Sequence, residues 1–372
     1  MGIPEKIKAI EDEIHKTQIN KATEHHVGLL KAKMARLKRE MDEGTQKRTL
    51  STGGGSSGFD IRKGGDATVI LIGLPSVGKS TLLNRLTNAK SRIGSYQFTT
   101  LTAVPGMMDY RGSKIQILDM PGIIEGAASG KGLGKKVLSI ARSADLVLIV
   151  LDVFQPHHLT IIKKELFAIG IRIDQKPPDV VIEKASAGGL SINILVPIKI
   201  PEKLVQEIVL TFGIRNCRVV IREEGLTDDQ LIDILSGNRV YIPSVAVLNK
   251  IDLVNQGFVK EVQSKIGSNF IPISADTEVN IGALKEQLYK KLDFIRIYLR
   301  KGKETDFKEP LIMQNGSNVG NVCSKIHRSM VRDFRYAQIW GKSAKFGGQK
   351  VGMDHMLVDE DVLTIAKKFN RP

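Results

Sequence analysis

The sequence predicts an α/β fold, a doubly wound parallel sheet with a helical hairpin before it, an inserted α+β domain within it and a small domain after it. Five short apolar segments rich in β-branched residues alternate with helical stretches. Such segments are typical of strands buried on both faces of a parallel sheet. The alternation stops between residues 154 and 244, although one crossover connection needs only about a dozen residues. We therefore expect a second domain to be inserted there.

The elements of this prediction follow the chain in order. Residues 4 to about 43 carry apolar side chains at helical spacing with a break at 17–23, which predicts two paired helices. This hairpin is either a packing element or, given its lysines and arginines, a docking arm. The segment STGGGSSG at 51–58 is typical of a linker. Strands are expected at 68–73, 114–120, 146–154, 244–250 and 270–275, and helices between them at about 79–89, 133–144, 258–266 and 280–299.

The interruption and the C-terminal region have patterns of their own. Within the interruption, apolar segments predict strands at 190–200 and 217–223 and helices at 201–213 and 227–237. Residues 294–372 contain 15 basic and 8 acidic residues, many glycines and a basic helical stretch at 318–334. The expected domains are a helical hairpin at 1–50, the α/β domain at 51–160 and 243–293, the inserted domain at 161–242 and the C-terminal domain at 294–372.

The composition indicates the kind of partner and compartment. Lysine and arginine number 55 against 40 aspartates and glutamates, and the formal net charge of +15 favours polyanionic partners such as nucleic acid. The two cysteines, Cys217 and Cys323, have no CxxC spacing, so we expect neither a disulfide framework nor a zinc site, and a reducing compartment fits. No apolar run approaches the roughly 18 residues of a membrane span, so no membrane contact is expected.

The motif GLPSVGKST follows the first predicted strand and opens a helix, the context that GxxxxGK[ST] requires. Two glycines let the backbone curl so that its N–H groups face phosphate oxygens. Lys79 supplies a cation to the outer phosphates, and Ser80 offers a hydroxyl to magnesium. A plain strand-to-helix turn is the alternative. The residues of this loop expected to contact a nucleotide are Gly73, Pro75, Ser76, Val77, Gly78, Lys79, Ser80 and Thr81.

The motif DMPG ends the next long strand. Asp119 can hold magnesium through water there, and the N–H of Gly122 can sense a γ-phosphate. In an open α/β sheet, ligands bind at the carboxyl ends of the strands, which is where both motifs lie. Between the two motifs, Thr99 and Thr100 are both candidates for a threonine that ligates magnesium when a γ-phosphate is present, and their spacing does not choose between them.

The motif NKID ends a later strand and indicates the base. Asp252 can accept hydrogen bonds from the N1–H and the exocyclic amine of guanine, a donor pair that adenine lacks. Asn249 and Lys250 support the site, with Lys250 expected over the plane of the base. Ser274 and Ala275 end the last strand, where the Ala275 N–H can meet the guanine carbonyl oxygen. Four motifs in this order, each at a strand's carboxyl end, predict a guanine-nucleotide site.

At these residues the chain resembles the Obg-related GTPases and, more narrowly, the developmentally regulated GTP-binding protein family of archaea and eukaryotes. The resemblance covers essentially the whole chain. Beyond Obg, it includes the N-terminal hairpin, an inserted module similar to the second domain of a small-subunit ribosomal protein, and an ending similar to a TGS domain, a small β-grasp-like module. The segments that carry it include NKATEHHVGLLKAKMARLKRE, GGGSSGFDIRKGGDATVILIGLPSVGKSTLLNRLT, YQFTTLTAVPGMM and DMPGIIEGAASGKGLGKKVLSIARSADLVLIVLD.

The resemblance implies GTP hydrolysis with Mg²⁺, a cytoplasmic location and association with ribosomes or RNA during translation. It also assigns the switch role to Thr100. A regulatory protein partner and a monomeric state are further expectations. The expected metal ligands are then Ser80, Thr100 and Asp119, and the expected catalytic residues are Lys79, Thr100 and Gly122.

One catalytic group is missing from the sequence. Many small GTPases place a glutamine directly after DxxG to orient water, whereas Ile123 and Ile124 follow Gly122 here. We predict slow intrinsic hydrolysis, with the missing group supplied by a cation, a backbone carbonyl or a partner such as the ribosome. The family also implies stimulation by K⁺, for which relatives often carry an asparagine at the position of Ser76, where serine still offers one oxygen. The glycine-dense segment 122–136 is expected to be a mobile switch.

Two other functions fit parts of the pattern. One is an RNA-binding adaptor in which the nucleotide is structural, and the other is an Obg-type ribosome-assembly GTPase, against which the inserted module argues. An ATP-using protein is disfavoured by the intact NKID. Near the C-terminus, Trp340 is either a core residue, which we favour, or part of an RNA-facing surface. The cations near it, which can bind phosphate or form a solvated face, are Arg328, Arg332, Arg335, Lys342, Lys345 and Lys350.

Overall fold

The computed structural model describes residues 2–18, 20, 23–51, 64–87, 104–119, 133–266, 270–302 and 304–367. Its helices are α1 (Ile3–Lys16), α2 (Glu24–Ser51), α3 (Lys79–Leu86), α4 (Leu133–Ser143), α5 (His158–Ile169), α6 (Glu202–Thr211), α7 (Asp228–Ser236), α8 (Gln256–Ile266), α9 (Ile281–Lys291), α10 (Val319–Ile326) and α11 (Arg328–Arg332). A 3-10 turn spans Ile251–Leu253.

The strands lie between these helices. They are β1 (Ala67–Ile72), β2 (Val104–Tyr110), β3 (Ser113–Asp119), β4 (Leu146–Asp152), β5 (Ile171–Ile173), β6 (Val180–Lys184), β7 (Leu190–Ile194), β8 (Cys217–Ile221), β9 (Val240–Ile242), β10 (Ser244–Asn249), β11 (Phe270–Pro272), β12 (Phe294–Lys301), β13 (Glu304–Thr305), β14 (Leu311–Gln314), β15 (Phe334–Trp340), β16 (Gln349–Val351) and β17 (Val362–Lys367).

The chain divides into two compact units. Unit 1 contains residues 1–59 and 170–241, and unit 2 contains residues 60–169 and 242–372. The N-terminal helices and the inserted segment therefore belong to one unit, although they are more than 100 residues apart in the sequence. The α/β domain and the C-terminal domain belong to the other.

Unit 2 contains a six-stranded sheet with the order β11-β10-β4-β1-β3-β2. Its strands pair in parallel except β2, which is antiparallel to β3. All six residues of β1 are buried, because helices cover both faces of a sheet of this kind. The chain leaves β1 towards β3 and later returns to β4 on its other side. The loop after β1 therefore lies at the switch point of the sheet, where such folds bind ligands.

The C-terminal domain forms a second sheet, ordered β13-β12-β17-β15-β16, with β14 paired to β12. One face of it packs on α10 through Ile297, Ala337 and Ile339. Because side chains alternate across a strand, Tyr298, Arg300, Tyr336 and Trp340 lie on the opposite face, which we call the open face. Trp340 is half-buried there, under the Arg300 guanidinium 4.5 Å from its ring centroid, so our expectation of a core tryptophan is wrong.

The α/β domain and the C-terminal domain are in contact at several points, one of which is the turn between β2 and β3, where Gly112 lies against Pro310. Within the α/β domain, Tyr110 donates a hydrogen bond of 2.7 Å from its hydroxyl to Glu286 on α9, and the Arg111 guanidinium lies 2.9 Å from the same carboxylate. Phe294, the first residue of β12, packs in the core of the six-stranded sheet. Lys325 of α10 bridges to Asp66, just before β1, at 3.0 Å. Polar and apolar contacts thus join the domains within this unit.

Unit 1 is built around α2, α6, α7 and the three-stranded sheet β6-β8-β7. Ala32 and Ala35 of α2 are buried against this core, where their small side chains allow the helices to approach closely. The carboxylate of Asp233 on α7 accepts hydrogen bonds from the buried Arg172 guanidinium and from Arg239 Nε at 2.7 Å. This buried ion triad joins β5 to the end of α7.

Three further expectations from the sequence are corrected by the structure. The helix expected at 280–299 ends at Lys291, and residues 294–301 are strand β12, whose alternation of core and surface residues has a period of two. The basic helix expected at 318–334 is two short helices separated by His327, which is extended and whose ring accepts the N–H of Ser329. Phe334 already begins β15.

The third correction concerns the start of the insertion, which was expected at residue 161. Residues 158–169 form α5, which belongs to unit 2, and unit 1 resumes at Gly170. Leu159, Ile162 and Leu166 of this helix are buried, as a crossover helix after β4 requires.

Candidate nucleotide-binding site

The loop from Gly73 to Lys79 has the backbone geometry that its glycines allow. Gly78 has φ +91° and Ser76 has φ +62°, both in the left-handed region. A Cβ on Gly78 would collide with the side-chain amide of Asn249. Helix α3 begins at Lys79, so its first N–H groups face the space enclosed by the loop. Pro75, Ser76 and Thr81 are exposed, whereas the Val77 side chain is buried and leaves only its backbone for a ligand.

Gly78→Ala is expected to weaken GDP and GTP binding by roughly five- to a hundredfold. The left-handed conformation of a non-glycine residue costs about 1–3 kcal/mol, and about 1.4 kcal/mol equals a factor of ten in affinity. Titration with a fluorescent GDP analogue measures the effect. Gly282→Ala on α9 is the matched control, since nothing lies within 4 Å of its added methyl group. Equal affinities of the two variants would contradict the role of Gly78.

The Lys79 side chain folds back over the loop. Its Nζ donates to the carbonyl oxygens of Gly73 at 3.0 Å and Leu74 at 2.9 Å. Burial lowers the pKa of this ammonium group, and the nearby Asp119 carboxylate partly opposes the shift. A phosphate group beside Nζ would further favour the charged form. The lysine predicted to bind phosphate is therefore held in place by backbone carbonyls.

Ser80 and Asp119 come together at the ends of α3 and β3. The Ser80 hydroxyl donates to Asp119 Oδ2 at 2.9 Å, and the Asp119 side chain is only 4% exposed. Its Oδ1 is buried and has no hydrogen-bond partner among the described residues. An unpartnered buried carboxylate oxygen beside a hydroxyl is a donor set that suits Mg²⁺, which prefers hard oxygen ligands. The residues present thus fit the metal that the sequence predicts.

Asn249, the last residue of β10, connects two loops at the carboxyl edge of the sheet. Its Nδ2 donates to the Val77 carbonyl at 2.8 Å, and its Oδ1 accepts the Ala275 N–H at 2.9 Å. The N–H that we expected to meet a guanine carbonyl therefore already has an acceptor. Ser274 is fully buried, and its Oγ accepts the Thr277 N–H at 3.1 Å, so this hydroxyl stabilises the loop.

Lys250 and Asp252 lie next to this connection. Lys250 has φ +67°, and its Nζ lies 2.7 Å from Asp152 Oδ2 at the end of β4. Asp252 is in the 3-10 turn after β10, and its side chain is exposed and has no hydrogen-bond partner among the described residues. A free carboxylate at this edge is available to a ligand.

Two supporting residues were missed by sequence reasoning. Asp152 fixes Lys250 and also accepts the Phe154 N–H at 2.9 Å. Arg85 of α3 donates to the carbonyls of Ala275 at 3.2 Å and Asp276 at 3.1 Å, which holds the last loop of the site. The acidic end of the apolar segment LVLIVLD is a signal for Asp152, whereas no local signal indicates Arg85.

Asp152→Asn is expected to weaken GTP binding roughly three- to tenfold, mainly through faster dissociation. The amide keeps the size of the side chain but removes the charge that positions Lys250. Thermal stability should change little, because a partly exposed ion pair contributes about 0–1 kcal/mol. Stopped-flow release of a fluorescent GTP analogue measures the effect, and Glu261→Gln, which breaks a surface pair with Lys265, is the control. Unchanged release from Asp152→Asn would contradict this role.

Several predicted site residues lie outside the described residues. They are Thr99, Thr100, Gly122, Ile123 and Ile124.

The sheet order, the glycine loop at its switch point and the three further motifs at the same edge define a P-loop GTPase. Three family models match consecutive parts of the chain: "50S ribosome-binding GTPase" at residues 68–184, "C-terminal region of MMR_HSR1 domain" at 187–294 and "TGS domain" at 295–367. These matches confirm the predicted fold class.

Comparison with curated proteins identifies the family. The chain is 52% identical over 373 residues to an uncharacterized GTP-binding protein of Methanocaldococcus jannaschii, covering 99% of this chain and 94% of that protein. It is 44% identical to the developmentally-regulated GTP-binding protein 1 homolog of Dictyostelium discoideum and 43% identical to human developmentally-regulated GTP-binding protein 2, in each case over 99% of this chain and 100% of the relative. The chain belongs to the developmentally regulated GTP-binding protein family, and it is a GTP-binding GTPase.

Within the described residues, no helix has the length and apolar character needed to cross a bilayer.

Proposed function

We propose that this GTPase hydrolyses GTP slowly on its own and acts as a nucleotide-dependent switch on ribosomes or other RNA in translation. The observation that carries the proposal is the convergence of Lys79, Ser80 and Asp119 at the edge of the sheet, where one buried oxygen of Asp119 has no hydrogen-bond partner in the described part of the chain. A site built only to hold the loop together would have no use for that oxygen.

Different groups of the chain bind the phosphates and the base of the nucleotide. Backbone N–H groups of the loop and of the first turn of α3 hold the phosphates, and Lys79 neutralises charge on the outer ones. The proposed catalytic residues are Lys79, Thr100 and Gly122, of which Thr100 and Gly122 respond to the γ-phosphate. The proposed base contacts are Asp252 for selectivity, Lys250 over the base plane, and Asn249 with Ser274 and Ala275 as the supporting framework.

Ser80, Asp119 and Thr100 would hold the magnesium ion. When bound, the ion neutralises charge on the phosphate oxygens. The Ser80 hydroxyl orients the Asp119 carboxylate, so these two ligands are arranged before nucleotide binds.

Slow turnover follows from Ile123 and Ile124, which cannot orient water. K⁺ or a bound partner would supply the missing group, and exposed Ser76 is the proposed oxygen ligand for K⁺. The reducing cytoplasm fits the two buried free cysteines, Cys217 and Cys323. We propose a monomer, with a regulatory protein as a further partner.

Two features support an RNA partner. The net charge is +15, and on the open face cations lie over aromatic rings: Arg300 over Trp340, and Lys350 Nζ 4.9 Å from the Tyr336 ring centroid. Cations interleaved with aromatic rings attract phosphates and stack on bases. The description of the matched family model as a ribosome-binding GTPase points in the same direction.

Phosphate release measured with and without ribosomes, in K⁺ and in Na⁺ buffer, tests the proposal. We expect slow release from the isolated protein in Na⁺ and acceleration by ribosomes. Lys79→Ala should abolish release under every condition. Rapid release in Na⁺ without ribosomes would contradict the proposed slow switch, and no acceleration by ribosomes would favour the adaptor in which the nucleotide is structural.

A further inference from the structure

We propose that unit 1 contains a second anion site, which binds backbone phosphates of RNA. It is a cavity of about 460 Å³, which we call the basic bowl. The inference rests on the proposed RNA partner and adds a surface that the GTPase site does not explain. The lining of the bowl includes four cations, one carboxylate and one aromatic residue: Arg36, Arg39, Lys184, Arg215, Glu40 and Phe212.

The charges of the bowl come from three separate parts of the chain. Arg36 and Arg39 are on α2, Lys184 ends β6, and Arg215 is in the loop between α6 and β8. Among the described residues of the lining, Glu40 is the only carboxylate, and it is already paired with Arg36 Nε at 2.7 Å. Folding therefore brings four cations together in one cavity, against one acid among the side chains that the structure describes.

Two of the four cations also have a structural role, because they bind carbonyl groups at the ends of helices. Arg36 Nη1 donates to the Thr211 carbonyl at 2.9 Å, and Arg39 Nη1 donates to the Leu235 carbonyl at 3.2 Å. These acceptors lie in the last turns of α6 and α7, where cations commonly satisfy free carbonyls. The two arginines are thereby fixed in orientation, which suits a preorganised binding site as well as a helix cap.

The other two cations have no such explanation. Lys184 and Arg215 are exposed and make no hydrogen bond or ion pair among the described residues. Less exposed cations of unit 1 are paired: Lys31 with Asp228 and Asp229, and Arg172 and Arg239 with Asp233. Lys203 and Arg218 are exposed and unpaired among the described residues, as Lys184 and Arg215 are, but they lie outside the bowl. Like charges gathered without counter-ions repel one another, and a polyanion relieves that repulsion.

The chemistry of the lining favours phosphate diesters of a nucleic-acid backbone. Guanidinium groups bind phosphate oxygens in a bidentate manner, and lysine adds a point charge. Of the lining residues that the structure describes, Phe212 is the one aromatic residue, and it packs against the core of unit 1, so these residues offer no pair of exposed aromatic faces between which a base could stack. Recognition should therefore depend on backbone phosphates and not on base sequence.

The test removes the two unpaired cations together. Lys184→Gln with Arg215→Gln is compared with Lys203→Gln with Arg218→Gln, which deletes the same charge at exposed positions of unit 1 outside the bowl. Binding of the GDP-saturated chain to fluorescein-labelled ribosomal RNA hairpins of two unrelated sequences is followed by anisotropy over a range of KCl concentrations. Thermal melts check that every variant is folded.

We expect the bowl variant to bind both hairpins roughly tenfold more weakly. The slope of log affinity against log salt should also fall by about 1.4–1.8, since each lost phosphate contact removes about 0.7–0.9. The control pair should keep the slope of the unchanged chain. Equal slopes for the bowl variant and the control would overturn the inference while leaving the RNA partner intact. If the unchanged chain ignores both hairpins at low salt, the RNA partner of the proposed function fails instead.

A small phosphate compound is the other ligand that could bind the cations of the bowl. Calorimetry with inorganic pyrophosphate, again on the GDP-saturated chain, separates it from RNA. Weak or absent heat with pyrophosphate, together with the altered salt slope, supports the backbone-phosphate site. Tight pyrophosphate binding that the bowl variant loses, with an unchanged slope for RNA, would overturn the commitment to RNA.

Discussion

Asp252→Asn should change the base preference of this GTPase from guanine to xanthine. The carboxylate of Asp252 can accept both the N1–H and the exocyclic amine of guanine, whereas an asparagine presents a donor to one of them. Xanthine carries a carbonyl in place of that amine and restores the match. In the variant, guanine and the asparagine side chain no longer match as donors and acceptors, so hydrogen-bonding groups stay unpaired when GTP binds. We therefore expect GTP affinity to fall by about 10³-fold or more.

The position of Asp252 makes this experiment clean. Its side chain is exposed in the 3-10 turn and holds no other part of the described chain in place, so the variant should melt like the unchanged protein. Asp276→Asn, another exposed carboxylate in the last loop of the site, is the matched control and should keep its preference for GTP. Competition between GTP, XTP and ATP for a fluorescent nucleotide measures the switch. Retained GTP affinity in Asp252→Asn would refute the proposed contact.

Asp233→Ala should destabilise unit 1 by about 3–5 kcal/mol. Removing one partner of a buried ion pair leaves its charges without compensation, and here two guanidinium groups depend on the same carboxylate. Arg172 is only 3% exposed, so water cannot replace the lost acceptor. Arg239, at 19% exposure, should be affected less.

Urea unfolding followed by circular dichroism measures this loss. Asp179→Ala is the control, because its exposed side chain makes no hydrogen bond among the described residues and such surface changes stay within about 0.5 kcal/mol. The double variant Arg172→Leu with Asp233→Leu is a second comparison, since apolar replacement of a buried ion pair is often neutral or stabilising. If Asp233→Ala unfolded at the same urea concentration as Asp179→Ala, the triad would be structurally unimportant.

Sequence reasoning succeeded where a residue's role depends on its chain neighbours. The strands β1 and β4 are apolar along nearly all of their length, and burial on both faces is visible in such composition. It failed for β2, whose sequence VPGMMDY contains proline and glycine and forms a strand because β3 offers it an edge along seven residues. It also failed at the end of α9, where the expected helix ran on into β12 although the alternation of FIRIYLRK has the period of a strand.

The side-chain contacts of the site show the same limit. Asp152 and Lys250 are 98 residues apart, and Arg85 contacts a loop about 190 residues away. Only the sheet order, which places β4 beside β10 and α3 near the last loop, brings these groups together. The residues expected to contact the nucleotide directly were predictable from motif spacing, whereas those that position them were not.

Asn249 spans the phosphate loop and the final loop with a single side chain, yet it uses one amide hydrogen and one lone pair to do so. The side chain of asparagine has two amide hydrogens and two lone pairs on its oxygen. A purine could therefore bind the unused hydrogen and lone pair while both existing hydrogen bonds remain. Recognition of the base would then require no rearrangement of the pocket wall. Because this wall is already rigid in the folded chain, nucleotide binding would cost less conformational entropy, and the affinity would be higher.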